Sequence, residues 1–228
     1  MSPFYRNFDT MAKTATKAVK KTAKKPRKKS SRAPQIGNYL GLDYESSCEK
    51  ALLYFAEELK KEGYVDRVER SPSYLLCDAI STTYVEQLKR GSKSVEQNIQ
   101  QGVSYTPDYD IYFTEKAIGK FCWLMGSTVK YDRHLLVAQN VGNLYRACCE
   151  VKPDFSRAST TPKSMQSMKW LYQRHKIFAN LFRPNDIFEK LFTPEKYKIT
   201  ESGVVKQLKY KVRNLQTYLK TFVKDKKK

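Results

Sequence analysis

Histidine is nearly absent from this 228-residue sequence, which carries only His134 and His175. The two are far apart and neither has a Ser-His-Asp or Cys-His context, so a histidine metal pair and a nucleophilic triad are both excluded. His175 falls in an apolar helical stripe and reads as a core residue. Cysteine is sparse as well: Cys48, Cys77, Cys122, Cys148 and Cys149 are odd in number. They lack CxxC spacing and the clustered C-terminal trio of an iron–sulfur site, and are expected to be reduced, buried thiols rather than a disulfide framework or zinc ribbon. There is no glycine-rich phosphate loop, so ATP-driven chemistry is not indicated. No apolar run approaches the ~18 residues of a membrane span, and the N-terminus lacks the hydrophobic stretch of a secretory signal. The expectation is a cytoplasmic chain with no membrane partner.

Acid is scarce relative to base. Forty-three Lys and Arg face twenty-three Asp and Glu, a formal charge of +20. Residues 1–32 hold eleven basic residues and one acidic, residues 190–228 hold twelve and three, and 33–189 are close to neutral with twenty and nineteen. Two basic flanks around a neutral centre point to a polyanion, nucleic acid before an anionic membrane surface. Between Met11 and Arg32 the sequence is built from Lys, Ala, Thr, Ser and Pro, with almost nothing to bury, and is expected to be disordered when unbound. Lys24, Lys25, Arg27, Lys28 and Lys29 read as phosphate contacts of a basic arm. A solubilising tail and a nuclear-localisation signal fit the same residues.

Order is expected from about Tyr39. Residues 46–62 place Cys48, Leu52, Phe55 and Leu59 at helical spacing before Gly63, predicting an amphipathic helix with a glycine stop. Tyr74–Leu76 suggest a short strand, and 82–101 read as a polar helix interrupted at Arg90–Ser92. Tyr109, Ile111 and Phe113 alternate with Asp108, Asp110 and Tyr112, predicting a strand with both aspartates on one face. A second strand before Pro153 turns Arg146, Cys148, Glu150 and Lys152 one way and Tyr145, Ala147, Cys149 and Val151 the other. Residues 163–182 read as a helix ended by Pro184, and 203–223 as a last helix with Val205, Leu208, Val212, Leu215, Leu219 and Phe222 along one seam. That seam is expected to pack on its own domain, with self-pairing the second reading.

The chemistry lies in the two strands. If they are neighbours, Asp108, Glu150 and Lys152 converge, and two carboxylates with the Val151 carbonyl form an oxygen-rich site suited to Mg²⁺ or Mn²⁺. Such an ion would polarise a scissile phosphate and lower the pKa of an attacking water, and Lys152 would orient that water and help stabilise the pentavalent transition state. Asp110 shares the face of Asp108 and is the runner-up ligand, though a solvated edge carboxylate is the plainer reading. Glu49 has two readings. Ser46-x-x-Glu49 is a capping box in which the Glu side chain bonds the Ser46 N–H, and a place beside the apolar stripe also allows a role that only a family resemblance supplies, that of a carboxylate reaching a metal site.

Pro107-Asp108 followed by Glu150-Val151-Lys152 resembles the PD-(D/E)xK nuclease superfamily, which has the restriction-endonuclease fold. The blocks Tyr44-Glu45-Ser46-Ser47-Cys48-Glu49, Tyr105-Thr106-Pro107-Asp108-Tyr109 and Glu150-Val151-Lys152-Pro153 occur in the order found in phage head-completion nucleases and TnsA-like endonucleases. The likeness spans roughly residues 39–182. It implies metal ligation by Asp108 and Glu150, a catalytic Lys152, and a helix-borne carboxylate at Glu49. Lys163, Gln166 and Lys169, on the helix after the lysine-bearing strand, become candidates for phosphate contact.

The expected architecture is α/β: a restriction-endonuclease-like core with a central mixed sheet flanked by helices. Residues 1–35 would be a disordered arm, 36–190 a nuclease domain with an insertion around 114–144, and 191–228 a basic helical extension. The expected function is a Mg²⁺-dependent DNA endonuclease of phage or mobile-element type, the alternative a non-catalytic DNA-binding or virion-packaged protein. DNA is the expected partner, with a second copy of the chain or phage capsid and packaging proteins as further options. The location would be the host cytoplasm or the virion.

Overall fold

A computed structural model of the chain describes residues 36–126, 135–153 and 162–224. The lysine-rich arm with Lys24, Lys25, Arg27, Lys28 and Lys29, and also His134, lie outside the described residues. In chain order the elements are β1 (Gly37–Tyr39), β2 (Leu42–Tyr44), α1 (Ser47–Lys61), β3 (Val65–Arg70), β4 (Tyr74–Cys77), β5 (Ile80–Leu88), β6 (Gly91–Gln100), β7 (Val103–Tyr105) and β8 (Tyr109–Phe113). There follow β9 (Cys122–Leu124), β10 (Leu135–Val137), β11 (Gln139–Val141), β12 (Leu144–Val151), α2 (Pro162–His175), β13 (Ala179–Phe182), α3 (Pro184–Lys190) and α4 (Leu215–Lys224).

The fold is mixed α/β around one five-stranded sheet. β8 lies between β3 and β12, antiparallel to both, and β3 is the outer edge. The far side of β12 is shared: β11 pairs antiparallel with Leu144–Arg146, and β13 runs parallel to Cys148–Val151. Alternation along the strands sorts the core into two layers. Tyr109, Ile111, Phe113, Ala147, Cys149 and Val151 face α1 and pack on Ala51, Leu52, Phe55 and Leu59. On the opposite face Cys148 and Ala179 meet Leu171 of α2 and Leu76 of β4.

α1 forms as expected. Ser46 caps its start by accepting from the Glu49 N–H at 3.2 Å. Its end is closed by Gly63, whose φ of +72° admits the left-handed turn in which Gly63 and Tyr64 N–H groups reach the Lys60 and Leu59 carbonyls. The five cysteines are free, three of them buried and Cys48 and Cys77 half-buried. The segment 114–144 holds a 3-10 turn at Glu115–Ala117 and strands β9 to β11 among its described residues.

Three expected helices differ. Residues 82–101 are not a helix but the ribbon β5–β6, turned by Lys89-Arg90 with Gly91 at φ +125°. Ile80, Thr82, Thr83, Val85, Val95 and Ile99 are β-branched and fit a pleated strand better than a helix. The ribbon's side chains are nearly all exposed, so no buried stripe imprinted a period on the sequence. The helix expected over 163–182 ends at His175; Lys176 adopts a φ of +57°, and Ala179–Phe182 join the sheet as β13. His175 accordingly leaves the core and sits half-buried, its Nε2 2.8 Å from the Leu75 carbonyl. Of the helix expected over 203–223 only Leu215–Lys224 is helical. Asn214 caps it, its Oδ1 accepting from the Thr217 N–H at 2.8 Å, while Val205 and Val212 are exposed. Leu215 and Tyr218 pack into the main core, so α4 is held by its own domain.

Candidate active site

The site is built where β8 begins and β12 ends. Antiparallel pairing sets Tyr109 opposite Cys149, and one residue outward the Asp108 N–H donates to the Cys149 carbonyl at 3.1 Å. The Asp108 side chain turns back across the gap, and its Oδ2 accepts from the Val151 N–H at 2.6 Å. The two motif strands are therefore neighbours, tied through Asp108 itself. Glu150 is buried with its two oxygens divided: Oε1 faces Lys152 Nζ at 2.5 Å, and Oε2 accepts from the Tyr105 hydroxyl at 2.7 Å. The Lys152 N–H donates to the Phe182 carbonyl at 2.9 Å, so β13 anchors the strand end that carries the lysine.

Glu49 approaches from the helix layer. It forms the box with Ser46, but with a different reciprocal bond: Oε1 accepts from the Ser46 hydroxyl at 3.0 Å and Oε2 from the Glu45 N–H at 3.2 Å, not from the Ser46 N–H. The same Oε2 lies 3.3 Å from both the Tyr109 hydroxyl and an Arg70 nitrogen. Arg70 also donates to the Asp43 carbonyl at 2.6 Å, with its guanidinium 4.4 Å from the Tyr109 ring centre.

Burial pushes the Asp108 carboxyl up to about 6, with the Glu150 charge the next cause and Glu49 adding to it; the Val151 N–H and Lys152 act the other way. Glu49, Glu150 and Lys152 are thus all within electrostatic reach of Asp108, and negative charge there is only partly compensated. Such a group of carboxylates fits a hard divalent cation. As they stand, however, no three His, Cys, Asp or Glu side chains among the described residues are grouped to hold a metal ion. The bonding explains this: Glu150 is taken by Lys152 and Tyr105, Glu49 by its helix cap and Arg70, and one Asp108 oxygen by Val151.

Asp110 is neither a solvated edge carboxylate nor part of this group. It is 1% exposed, with Oδ1 accepting from the Ser71 hydroxyl at 2.9 Å and Oδ2 paired with Arg146 at 2.5 Å. Arg146 also bonds the Tyr74 hydroxyl. Since β12 sets Arg146 beside β8, a central-strand carboxylate gains a buried cation instead of water. Lys163, Gln166 and Lys169 lie exposed along the first turns of α2. Residue-by-residue reading missed Tyr105, Arg70 and Arg146. The one available signal was parity: Arg146, Cys148 and Glu150 alternate on a single face, so an arginine had to meet whatever β8 presented there.

No family model, no curated protein and no solved structure matches the chain.

Proposed function

We propose that the chain is a divalent-cation-dependent DNA endonuclease that hydrolyses phosphodiester bonds, with a core of the restriction-endonuclease type. The observation that carries this reading is the 2.6 Å bond from the Val151 N–H to Asp108, which fixes the Pro-Asp strand against the Glu-x-Lys strand. The order of elements supports it: a helix, three antiparallel strands β3, β8 and β12, a helix on the other face, and β13 returning parallel to β12.

Asp108 and Glu150 would hold a Mg²⁺ or Mn²⁺ ion, with the Val151 carbonyl and Glu49 in support. The ion would supply Lewis-acid polarisation of the phosphate and a more acidic water. Lys152, held through its backbone by β13, carries positive charge to the developing transition state once Glu150 turns away from it. Lys163, Gln166 and Lys169 present an exposed face that suits phosphate contact, and the basic flanks add attraction that is independent of sequence. No helix among the described residues is long and apolar enough to cross a membrane.

Purified protein should cleave DNA in Mg²⁺, with linear, branched and single-stranded substrates compared side by side. Asp108→Ala and Lys152→Ala should each lower the rate by about 10²-fold or more, the scale for loss of one charge-stabilising group. Cleavage by both variants at the wild-type rate would sink the assignment. Salt-sensitive binding without metal-dependent cleavage would identify instead a non-catalytic DNA-binding or virion-packaged protein.

A further inference from the structure

β5 and β6 form a separate two-stranded ribbon, and among the described residues they pair only with each other. A two-stranded ribbon is marginal in water unless one of its faces is covered. The two faces differ. Ser81, Thr83 and Gln87 lie with Ser92, Ser94, Glu96 and Asn98 on one side, where Val85 is the single apolar residue. The other side carries Ile80, Tyr84 and Leu88 from β5 and Val95 from β6, with Ile99 at the bulge beside Ile80. Ile80 is 54% exposed, Tyr84 46%, Leu88 52% and Ile99 64%. These apolar rows alternate with the polar rows Thr82–Gln97 and Glu86–Lys93, so the face carries on the order of 400–500 Å² of apolar surface in bands.

From this face we infer that the ribbon is the docking surface for a second copy of the same chain. The register itself selects that occupant. Tyr84 lies opposite Val95, Glu86 opposite Lys93 and Leu88 opposite Gly91. Stacking two ribbons face to face about a two-fold axis along their length sets β5 of each copy over β6 of the other. Three of the five rows then match: Tyr84 over Val95, Glu86 over Lys93, and Leu88 over the space beside Gly91. That space is open, since a Cβ added at Gly91 would meet nothing within 4 Å. An isologous interface needs this self-complementarity. Standard interfaces take about 800 Å² per partner, and the apolar rows together with the interleaved Thr82, Glu86, Lys93 and Gln97 are of that order. DNA is the poorer occupant of this face, where Lys93 is the single cation and Glu86 stands opposite it.

Sedimentation equilibrium on the full chain tests the inference, and its readout is mass, so the outcome is independent of any cleavage. Wild-type protein should approach twice the 26.6 kDa chain mass. Glu86→Lys and Lys93→Glu, each checked for folding by circular dichroism, should each weaken association about tenfold or more, because like charges then face one another. Mixing these two variants should restore a dimer within about threefold of wild type, since each supplies the charge the other lacks. Tyr84→Asp should leave monomers that no mixing rescues. Wild-type protein that stays monomeric up to about 100 µM overturns the inference. So does a dimer indifferent to all three substitutions, or a mixture of the two charge variants that remains monomeric. A monomer whose DNA affinity falls with Tyr84→Asp would assign the face to DNA instead.

Discussion

Asp108 is the residue on which both the fold and the proposed chemistry turn. Its folded value of about 6 stands above its ordinary 3.8, so the folded state binds this proton more tightly than the unfolded chain does. The group's contribution to stability is fully present below about pH 4 and is lost as pH rises through about 6. A shift of that size is worth up to about 3 kcal/mol in full burial, and the solvent that still reaches Asp108 brings it to about 1–2 kcal/mol. Asp108→Asn keeps an oxygen for the Val151 N–H and removes the charge. In metal-free thermal melts it should therefore raise the transition at pH 8, with the gain fading by pH 4. A variant that is no more stable at pH 8 would show that the charge is compensated. Tyr105 acts through Glu150. Its half-buried hydroxyl is held well above the ordinary tyrosine range, first by burial and then by the Glu150 charge, and therefore donates. On the proposed function, Tyr105→Phe should slow cleavage about tenfold and raise the Mg²⁺ concentration needed for half the maximal rate, the usual cost of freeing a metal-binding carboxylate from its outer partner; titrating the rate against Mg²⁺ measures both.

At the scale of elements, Ser46 and Glu49 couple the start of α1 to the site. Ser46→Ala removes the cap and one partner of Glu49, and should cost about 1 kcal/mol in urea denaturation. The same scale separates what was legible in the sequence from what was not. α1, β8 and β12 could be read because each buries one face, and burial writes a period into the residues. Asp108, Glu150 and Lys152 could be placed together because two of those strands alternate cleanly, whereas Glu49 joined them only through the family resemblance. β5 and β6 could not, because an exposed ribbon leaves no such record. Phe178 and Phe182 kept a helix-like spacing, yet a vacant parallel place beside β12 took Ala179–Phe182 as a strand. Tertiary pairing decided that segment, and only the left-handed turn at Lys176 marks where the helix gave way. The Arg146–Asp110 pair was hidden for a related reason: an ion pair between strands 36 positions apart has no local signature.

For the whole molecule, charge is divided by location. The neutral core holds the carboxylates, while base is concentrated in the flanks and along α2. DNA affinity should fall steeply with salt, and replacing Lys163 and Lys169 together with Ala should lower the slope of log K against log salt by up to about 2. Filter binding across a salt series would measure it; an unchanged slope would remove α2 from the interface. The edge of the sheet has a consequence of its own. β3 carries Asp66, Arg67, Glu69 and Arg70 among six residues, with a bulge between Val65 and Arg67. A charged, bulged border is how sheets avoid growing by strand addition, which would run on without limit into fibres. The β3 border is therefore barred to strand addition, and the chain's self-matching ribbon offers an encounter that closes at two.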